Sequence, residues 1–371
     1  EAIPHEIILA LSRLAWVAVT ARGSSFRFGQ GDPDFALIAA SLAVRYVLSG
    51  VLETSGRRVS VTLELTDCEN AEVIWADRLT TGCDEVETLR AMVVGRIVAA
   101  LELRVPQNEA RLALSRGSDD FDAWANYHLG LRHLYRFTAA DNALAKDRFA
   151  RAVALDAGFA RAEAGLSFTS FIDAFLRLTP DVAAARLAAR RHAERGLELD
   201  PMDPFVNFTM GRAHWLTDDV DAAQHWLGRA IAINPNYAQG FYASAFTSML
   251  RGDAVACEAG VQAALDLSPL DPLLYGMYGV RAQMLMQQGD YAAAARWGEK
   301  AAMTPGAHHL IAMVATAACA LAGAETQAKR WSEAARAKRK DASAADYTRA
   351  FPVRNLTARR EIERALRQHG F

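Results

Sequence analysis

The residue types needed for catalysis occur in this chain, but few of them stand at spacings that support it. Gly29-Gln30-Gly31-Asp32 is rich in glycine, yet no Gly-Lys-Ser or Gly-Lys-Thr follows it, so we interpret it as a turn rather than a phosphate-binding loop. Asp119-Asp120 precede a predicted helix, where they would complement its dipole and cap it. No Ser-His-Asp or Cys-His set has a supporting sequence context. We therefore predict no catalytic residue and no cofactor.

The histidine pairs are poorly spaced for a metal ion. His308 and His309 are adjacent, so they point to different faces of a helix and would need further ligands brought in by folding. His128 and His133 are five residues apart, which also fails to bring both rings to one ion. We predict no metal site and interpret these rings as packing or solvent-facing groups.

Length and composition narrow the class of protein. A chain of 371 residues suits two or three domains, or one domain with a solenoid. The 41 basic and 43 acidic residues give a net charge of -2, which argues against nonspecific nucleic-acid binding in this region. No apolar run has the 18 or so residues that a membrane helix needs, and the acidic Glu1 and Glu6 stand where a signal peptide would be basic. The four cysteines lie far apart without a C-x-x-C pair, so we expect a reducing, cytoplasmic location.

A two-helix pattern recurs along the chain, and each copy closes on similar residues. Pro201, Pro235, Pro269 and Pro305 close four copies at intervals of 34, 34 and 36 residues, and Ala157 closes an earlier copy 44 residues before Pro201. A closing proline lacks a backbone donor and disfavours helix in the residue before it, so it ends the second helix of its copy. This period resembles that of the tetratricopeptide family and implies an all-α solenoid over residues 119–341, with residues 342–371 as a C-terminal helical cap.

Small residues recur at the eighth place of the first helix in three of the copies. Gly130, Gly211 and Ala245 occupy that place, where a small side chain lets the two helices of a pair approach closely. A single pair cannot bury its apolar face, so neighbouring pairs must stack.

The tetratricopeptide resemblance also implies a binding face. In that family the concave surface is lined by the first helix of each pair. The corresponding aromatic and basic residues here are Trp124, Tyr127, Tyr135, Arg161, Phe168, Phe171, Phe205, Phe208, Arg212, Trp215, Tyr242 and Phe246.

Two interpretations of this face stay open. It is a groove for an apolar peptide, a partner helix or a small apolar ligand, since aromatic and arginine residues carry most binding energy at interfaces. Alternatively, the superhelix or the N-terminal unit fills the groove itself. A buried aromatic side chain contributes about 1.5–3 kcal/mol, so we expect something to cover these residues.

Residues 1–104 read as a small α/β domain. Its predicted order is a helix, a strand, a helix, a three-strand meander and a long helix. The predicted ranges are 6–11, 16–20, 34–43, then 45–54, 58–65 and 72–79, and finally 85–103, with Pro33 near the first turn of the second helix. Leu89, Val93, Ile97 and Leu101 form the apolar stripe of the last helix.

Short blocks in this region resemble the TolB-amino-terminal-like domain. They are Leu11–Leu14, Ala21–Phe26, Val44–Gly50 and Ile74–Arg78, and Gly130–Thr138 is similar to the repeat that follows such domains. Family members open on a strand with a Pro-Phe dipeptide, and this chain begins after that point, so we expect the first strand to be missing or upstream. The resemblance implies a winged-helix DNA-binding domain or a class III adenylate or guanylate cyclase domain upstream.

Taken together, these observations predict an α+β chain that is a non-catalytic sensory and interaction region of a bacterial signalling protein. The predicted output is transcription regulation, and the alternatives are a class III cyclase and a plain tetratricopeptide scaffold. The expected partner is a protein, a peptide or a small apolar ligand in the concave groove, with neither a membrane nor nucleic acid bound directly, and a homo-oligomer stays possible.

Overall fold

The computed structural model describes residues 2–14, 16–28, 33–115 and 121–371. The predicted turn at residues 29–32 and the predicted cap at Asp119-Asp120 therefore lie outside the described residues. The chain divides into two compact units, residues 1–115 and 116–371. The first combines helices with a small sheet and the second is helical, which confirms the predicted α+β fold class.

The sheet of the first unit is an antiparallel meander of three strands in the order β1-β2-β3. The strands are β1 Tyr46–Ser55, β2 Arg58–Asp67 and β3 Glu72–Gly82. Ser55 pairs with Arg58 across the first hairpin, and Gly56 in its turn has a φ of 58°, which favours glycine. The predicted meander is confirmed.

Four helices accompany this sheet. They are α1 Ala2–Leu11, α2 Arg22–Ser25 with a 3₁₀ turn after it, α3 Phe35–Leu42 and α4 Val86–Ser115. Alternate residues of β2 from Val59 to Leu65 are buried, and they share one core with the predicted stripe of α4 from Leu89 to Leu101. The stripe is therefore confirmed. A period of two on the strand and of about four on the helix gives each element one apolar face.

Two predictions in this unit are wrong. The run Trp16–Thr20 is not a strand, because its backbone joins no ladder and the Trp16 indole instead donates to Glu102 Oε1 of α4 at 3.1 Å. The second helix does not begin at Asp34. Asp34 is its N-cap and accepts a hydrogen bond from the Leu37 amide at 3.0 Å, which places Pro33 outside the helix.

Helix α4 also continues past the predicted end at residue 103. It runs through Pro106 to Ser115. Its second half is tied to the sheet by polar side chains, since Asn108 Nδ2 donates to Asp67 Oδ2 at 2.7 Å and the Tyr46 hydroxyl donates to Glu109 Oε1 at 2.6 Å. These contacts offset the backbone hydrogen bond that a proline removes.

The second unit consists of consecutive helix pairs, each packed against the next. The pairs are α5 Ala123–Leu134 with α6 Ala139–Leu155, α7 Ala160–Phe175 with α8 Val182–Leu199, α9 Pro204–Trp215 with α10 Val220–Ile233, α11 Ala238–Arg251 with α12 Ala254–Leu267, α13 Leu274–Gln288 with α14 Tyr291–Met303, and α15 His309–Leu321 with α16 Glu325–Lys338. Two shorter helices follow, α17 Ala344–Ala350 and α18 Leu356–Gln368. The pairs and their period confirm a tetratricopeptide-type solenoid.

Local sequence signals set these helix ends. Asp181, Asp219, Asp253 and Asp290 are N-caps of second helices, and each accepts from an amide three residues on at 2.9 to 3.1 Å. The second helices of the first five pairs end two residues before the predicted closing residues.

The small residues of the first helices are packed as predicted. A Cβ atom on Gly211 would stand 2.7 Å from Leu227 Cγ of the second helix in its pair. A Cβ atom on Gly130 would stand 2.6 Å from the ring of Phe149. Both distances are shorter than van der Waals contact, so the two helices approach closely because these positions lack a side chain.

Candidate functional site

The predicted groove residues lie mostly inside the second unit. Nine of the twelve are buried, and the half-buried three are Trp124, Tyr135 and Trp215. The inner face is thus occupied by the protein's own side chains and is not an open aromatic groove. The role of these residues in binding stays a prediction.

The structure brings most of these residues into one cluster. Phe168 lies near Phe171, Phe205 and Phe208, with ring centroids 5.7 to 6.3 Å apart. Trp215 continues the cluster, with its ring centroid 4.3 Å from that of Phe246. Its indole N–H donates to Thr247 Oγ1 at 3.0 Å, which fixes the plane of its ring.

Trp124, Tyr127 and Arg161 pack elsewhere in the unit. Trp124 and Tyr127 stack around Phe159, at centroid distances of 6.4 and 4.9 Å. The Arg161 guanidinium pairs with Asp203 at 2.7 Å, and both side chains are buried. This carboxylate also caps α9 by accepting from the Val206 amide at 3.0 Å. Arg161 is therefore a structural ion pair.

A second group of residues, which the sequence reasoning missed, closes the cluster from the opposite side. Phe137 follows α5, Tyr275 is in the first turn of α13, His308 precedes α15, and Phe351 lies between α17 and α18. The Phe137 ring is 5.8 Å from Tyr275 and 6.0 Å from His308, and the Phe351 ring is 5.9 Å from Phe246. Tyr275 holds the second place of its helix, as Phe205 does in α9, so the repeat pattern contained a signal for it.

These two groups enclose a cavity, which we call the Arg212 chamber. Its wall includes Arg212, Trp215, Tyr242, Tyr275, His308 and Phe351. The empty space measures about 440 Å³ with the solvent at its mouth, but the centre of a water molecule fits in only about 20 Å³ of it. The chamber is therefore closed to anything much larger than water in this conformation.

The Arg212 guanidinium is surrounded by aromatic rings. Its central carbon lies 4.2 Å from the ring centroids of both Phe168 and Phe171, 5.2 Å from that of Phe208 and 5.3 Å from that of Trp215. Arginine over an aromatic face is attracted by the ring quadrupole, and more strongly when water is excluded. The rings thus hold the cation in place without neutralising its charge.

Arg212 has no anionic partner among the described residues. Its side chain is buried, with only 5% of the residue exposed, and its Nε and Nη1 donors have no hydrogen-bond acceptor. Burial lowers the pKa of the guanidinium to about 10, which still leaves it charged at neutral pH. A buried cation without a counter-ion is rare because its desolvation is costly.

The other polar groups of the chamber are neutral donors or acceptors. Burial raises the pKa of the Tyr242 and Tyr275 hydroxyls, and it holds the pKa of His308 well below its ordinary value. His308 Nδ1 is buried without a partner. Gln283 Oε1 accepts from the Tyr347 hydroxyl at 3.0 Å, which ties α17 to the chamber wall.

No three metal-ligating side chains converge anywhere in the part of the chain that the structure describes. His308 and His309 have ring centroids 6.1 Å apart and are packed side chains. Within the same described ranges, no helix has the length and apolar character to cross a membrane.

The amino-acid sequence of the chain is similar to that of a curated bacterial protein. No family model matches it. The chain is 28% identical over 228 residues to a Rhizobium meliloti (strain 1021) protein described as "Putative adenylate cyclase 3". That match covers 61% of this chain and 38% of the relative, so the chain spans less than two fifths of the relative's length.

Solved structures with similar helical arrangements include the Pseudomonas aeruginosa pilF protein, at 16% identity, a TM-score of 0.40, and coverage of 61% of this chain and 95% of that one. PilW, a type IV pilus biogenesis factor, gives 14% identity, a TM-score of 0.40, and coverage of 66% and 97%. The tetratricopeptide domain of P58(IPK) gives 14% identity, a TM-score of 0.22, and coverage of 77% and 97%. Because these scores are low, the assignment of the fold rests on the helix pairs and their period.

Proposed function

We propose that this chain is the non-catalytic sensory region of a longer bacterial signalling protein, and that its repeats bind a ligand which regulates an output domain elsewhere in that protein. The observation that carries the proposal is the Arg212 chamber. A buried, unpartnered guanidinium lowers stability, and proteins keep such groups where a ligand or a reaction uses them.

We infer that the output is a class III nucleotide cyclase. The curated relative bears a cyclase name and is longer than this chain, with a match confined to 38% of its length. The resemblance of residues 1–104 to TolB-amino-terminal-like domains is compatible with the same organisation. Transcription regulation rests on that resemblance alone and gains no support from the relative. A cyclase output uses cytoplasmic nucleotides, so the proposal includes a cytoplasmic location.

A plain peptide scaffold fits the second unit less well than a sensor. A peptide groove needs accessible anchors, whereas Phe168, Phe171 and Phe208 are buried inside the unit. A chamber that opens for a small ligand gives the protein two states, and a ligand that binds only the open state shifts the population between them. That shift supplies the signal that a regulated cyclase requires.

The full-length natural protein tests this function. Its conversion of ATP or GTP to the cyclic nucleotide is measured for the wild type, for Arg212→Met and for Gly228→Ala, a control that alters an open surface position of α10. We expect Arg212→Met to change the rate of cyclisation at least several-fold and Gly228→Ala to leave it unchanged. Equal rates for all three proteins would refute the regulatory role of Arg212. A reading frame without a cyclase domain would refute the assigned output.

A further inference from the structure

We propose that the Arg212 chamber binds a small organic monocarboxylate whose apolar body is about the size of a phenyl ring, and that this body takes the place of Phe351. This inference rests on the proposed sensory function and names the ligand class of the same site.

The charge of the chamber selects an anion with one negative charge. Arg212 is the cation in the wall of the chamber, and the structure shows no ion pair for it among the described residues. The carboxyl group of Asp271, which acts on the pKa of Tyr242 and Tyr275, is buried and accepts from the Leu273 amide at 2.8 Å. His308 is neutral at physiological pH, so a dianion would leave one charge uncompensated.

The available donors suit a carboxylate. A guanidinium presents planar N–H groups that match the two oxygens of a carboxylate, and such charge-assisted bonds are stronger than neutral ones. The phenol groups of Tyr242 and Tyr275 stand in the same wall, and burial raises the pKa of both, so they stay protonated at neutral pH. A ligand carboxylate therefore meets one cation and two neutral O–H groups in a site that has room for little water.

The rest of the wall is apolar and selects the body of the ligand. Phe137, Phe175, Trp215, Phe246 and Ile311 line it. Aromatic rings at such walls prefer tilted or offset contact with another ring. The tilt of 79° between Phe351 and Phe175 shows that this geometry is already present. A flat body can repeat the contacts that Phe351 makes.

Phe351 is the wall residue that is best placed to leave. It lies outside the repeat pairs, in the segment that joins α17 and α18. That segment is tied to the repeats by the Arg354 amide, which donates to the Leu250 carbonyl at 2.9 Å, and by the Arg354 side chain, which lies 4.0 Å from Asp221. The preceding helix α17 is tied to the repeats by the Tyr347 hydroxyl, which donates to Gln283 at 3.0 Å. Because the closed chamber admits only water-sized molecules, a phenyl-sized ligand needs this displacement.

Matched probes on the 371-residue chain test the inference. Isothermal titration calorimetry compares phenylacetate with phenylacetamide, which has the same shape but no charge, and with inorganic phosphate. We expect saturable binding of phenylacetate and at least about 10-fold weaker binding of the amide, since a hydrogen bond to a charged group is worth roughly that factor or more. Arg212→Met should weaken phenylacetate binding by about 10- to 100-fold, and Phe351→Ala should strengthen it.

The inference is overturned if wild-type protein does not bind phenylacetate, if the amide binds as tightly as the acid, or if Arg212→Met binds the acid unchanged. Binding of phosphate in preference to carboxylates would also overturn it. The comparison of acid and amide needs no variant, so it stands even if a substitution impairs folding. If carboxylates fail while Arg212→Met still alters cyclase activity, the sensory function survives and the ligand class is wrong.

Discussion

The guanidinium carbon of Arg212 lies 4.2 Å from the ring centroid of Phe171. Among the described residues, no carboxylate forms an ion pair with this guanidinium. Another inner-face arginine, Arg161, has a buried carboxylate at 2.7 Å. The two arginines predicted for one groove therefore differ in how their charge is balanced. One is a structural ion pair, and the other is a cation held by aromatic rings and available to an anion.

Loss of Arg161 should destabilise the protein. In Arg161→Met the carboxylate of Asp203 would stay buried without its partner, and breaking one side of a buried ion pair costs about 3–5 kcal/mol. Urea denaturation followed by circular dichroism measures this loss. Restoration of stability in the double variant Arg161→Met/Asp203→Asn would attribute the effect to charge, whereas equal loss in both would attribute it to packing.

Two glycines of one helix pair should respond to alanine in opposite directions. Gly211→Ala places a methyl group 2.7 Å from Leu227 Cγ, so we expect a loss of about 1–3 kcal/mol from overpacking. Gly228→Ala meets nothing within 4 Å in the helical part of α10 and should gain up to about 1 kcal/mol in helix propensity. Thermal unfolding of the two variants is the measurement, and equal shifts would contradict the close approach of α9 and α10.

Truncation of Phe351 should create a cavity that an aromatic acid can fill. Phe351 is 3% exposed and contacts Phe175, Phe246 and Tyr347, so Phe351→Ala should cost about 3–5 kcal/mol. Phenylacetate should return part of that loss through mass action and raise the melting temperature of this variant more than that of the wild type. An equal or smaller rise in the variant would show that the ligand does not use the space of Phe351.

Mild acid should destabilise the second unit. Burial lowers the pKa of His128 from 6.5 to about 3 and that of His309 to about 4, and it holds the pKa of His308 well below 6.5. Between about pH 6.5 and pH 4 the unfolded chain therefore binds more protons than the folded chain, so stability falls as the pH falls. Each histidine contributes up to about 1.4 kcal/mol per pH unit.

One carboxyl group opposes this trend. Burial raises the pKa of Asp271 to about 6. Below that pH the folded chain therefore binds a proton at Asp271 that the unfolded chain does not bind, and this offsets the destabilisation from about one histidine. Urea midpoints at pH 7, 6 and 5 measure the net slope. His128→Leu, which removes a ring with two unpartnered nitrogens, should flatten the slope. An unchanged slope in that variant would show that His128 is protonated in the folded state.

The sequence predicted the repeats well because their signals are local. Asp219 and Asp253 cap helices within three residues, and the stripe from Leu89 to Leu101 follows one helical face. The strand predicted at Trp16–Thr20 does not form, because β-propensity cannot show whether a strand has a partner, and the Trp16 indole instead donates to Glu102.

The chamber depends on contacts between distant parts of the chain. Phe137 meets Tyr275, and Phe175 meets Phe351, across separations that no local pattern encodes. The aromatic residues of the inner face were predictable from the repeat, but the residues that cover them were not. The lack of an acceptor for Arg212 Nε and Nη1 depends on the positions of all the neighbouring side chains, which no local sequence pattern contains.

The unfolding free energy of Arg212→Met, measured in urea at pH 7 without added ligand, tests the central claim most directly. The lowering of the Arg212 pKa from 12.5 to about 10 corresponds to about 3 kcal/mol of destabilisation at every pH below about 10. The lost cation–π contacts offset part of this, while methionine keeps apolar contact with the same rings. We predict that Arg212→Met is more stable than the wild type by about 1–2 kcal/mol. A loss of stability of about 2 kcal/mol or more would show that the guanidinium holds the core together and would contradict its role as an anion receptor.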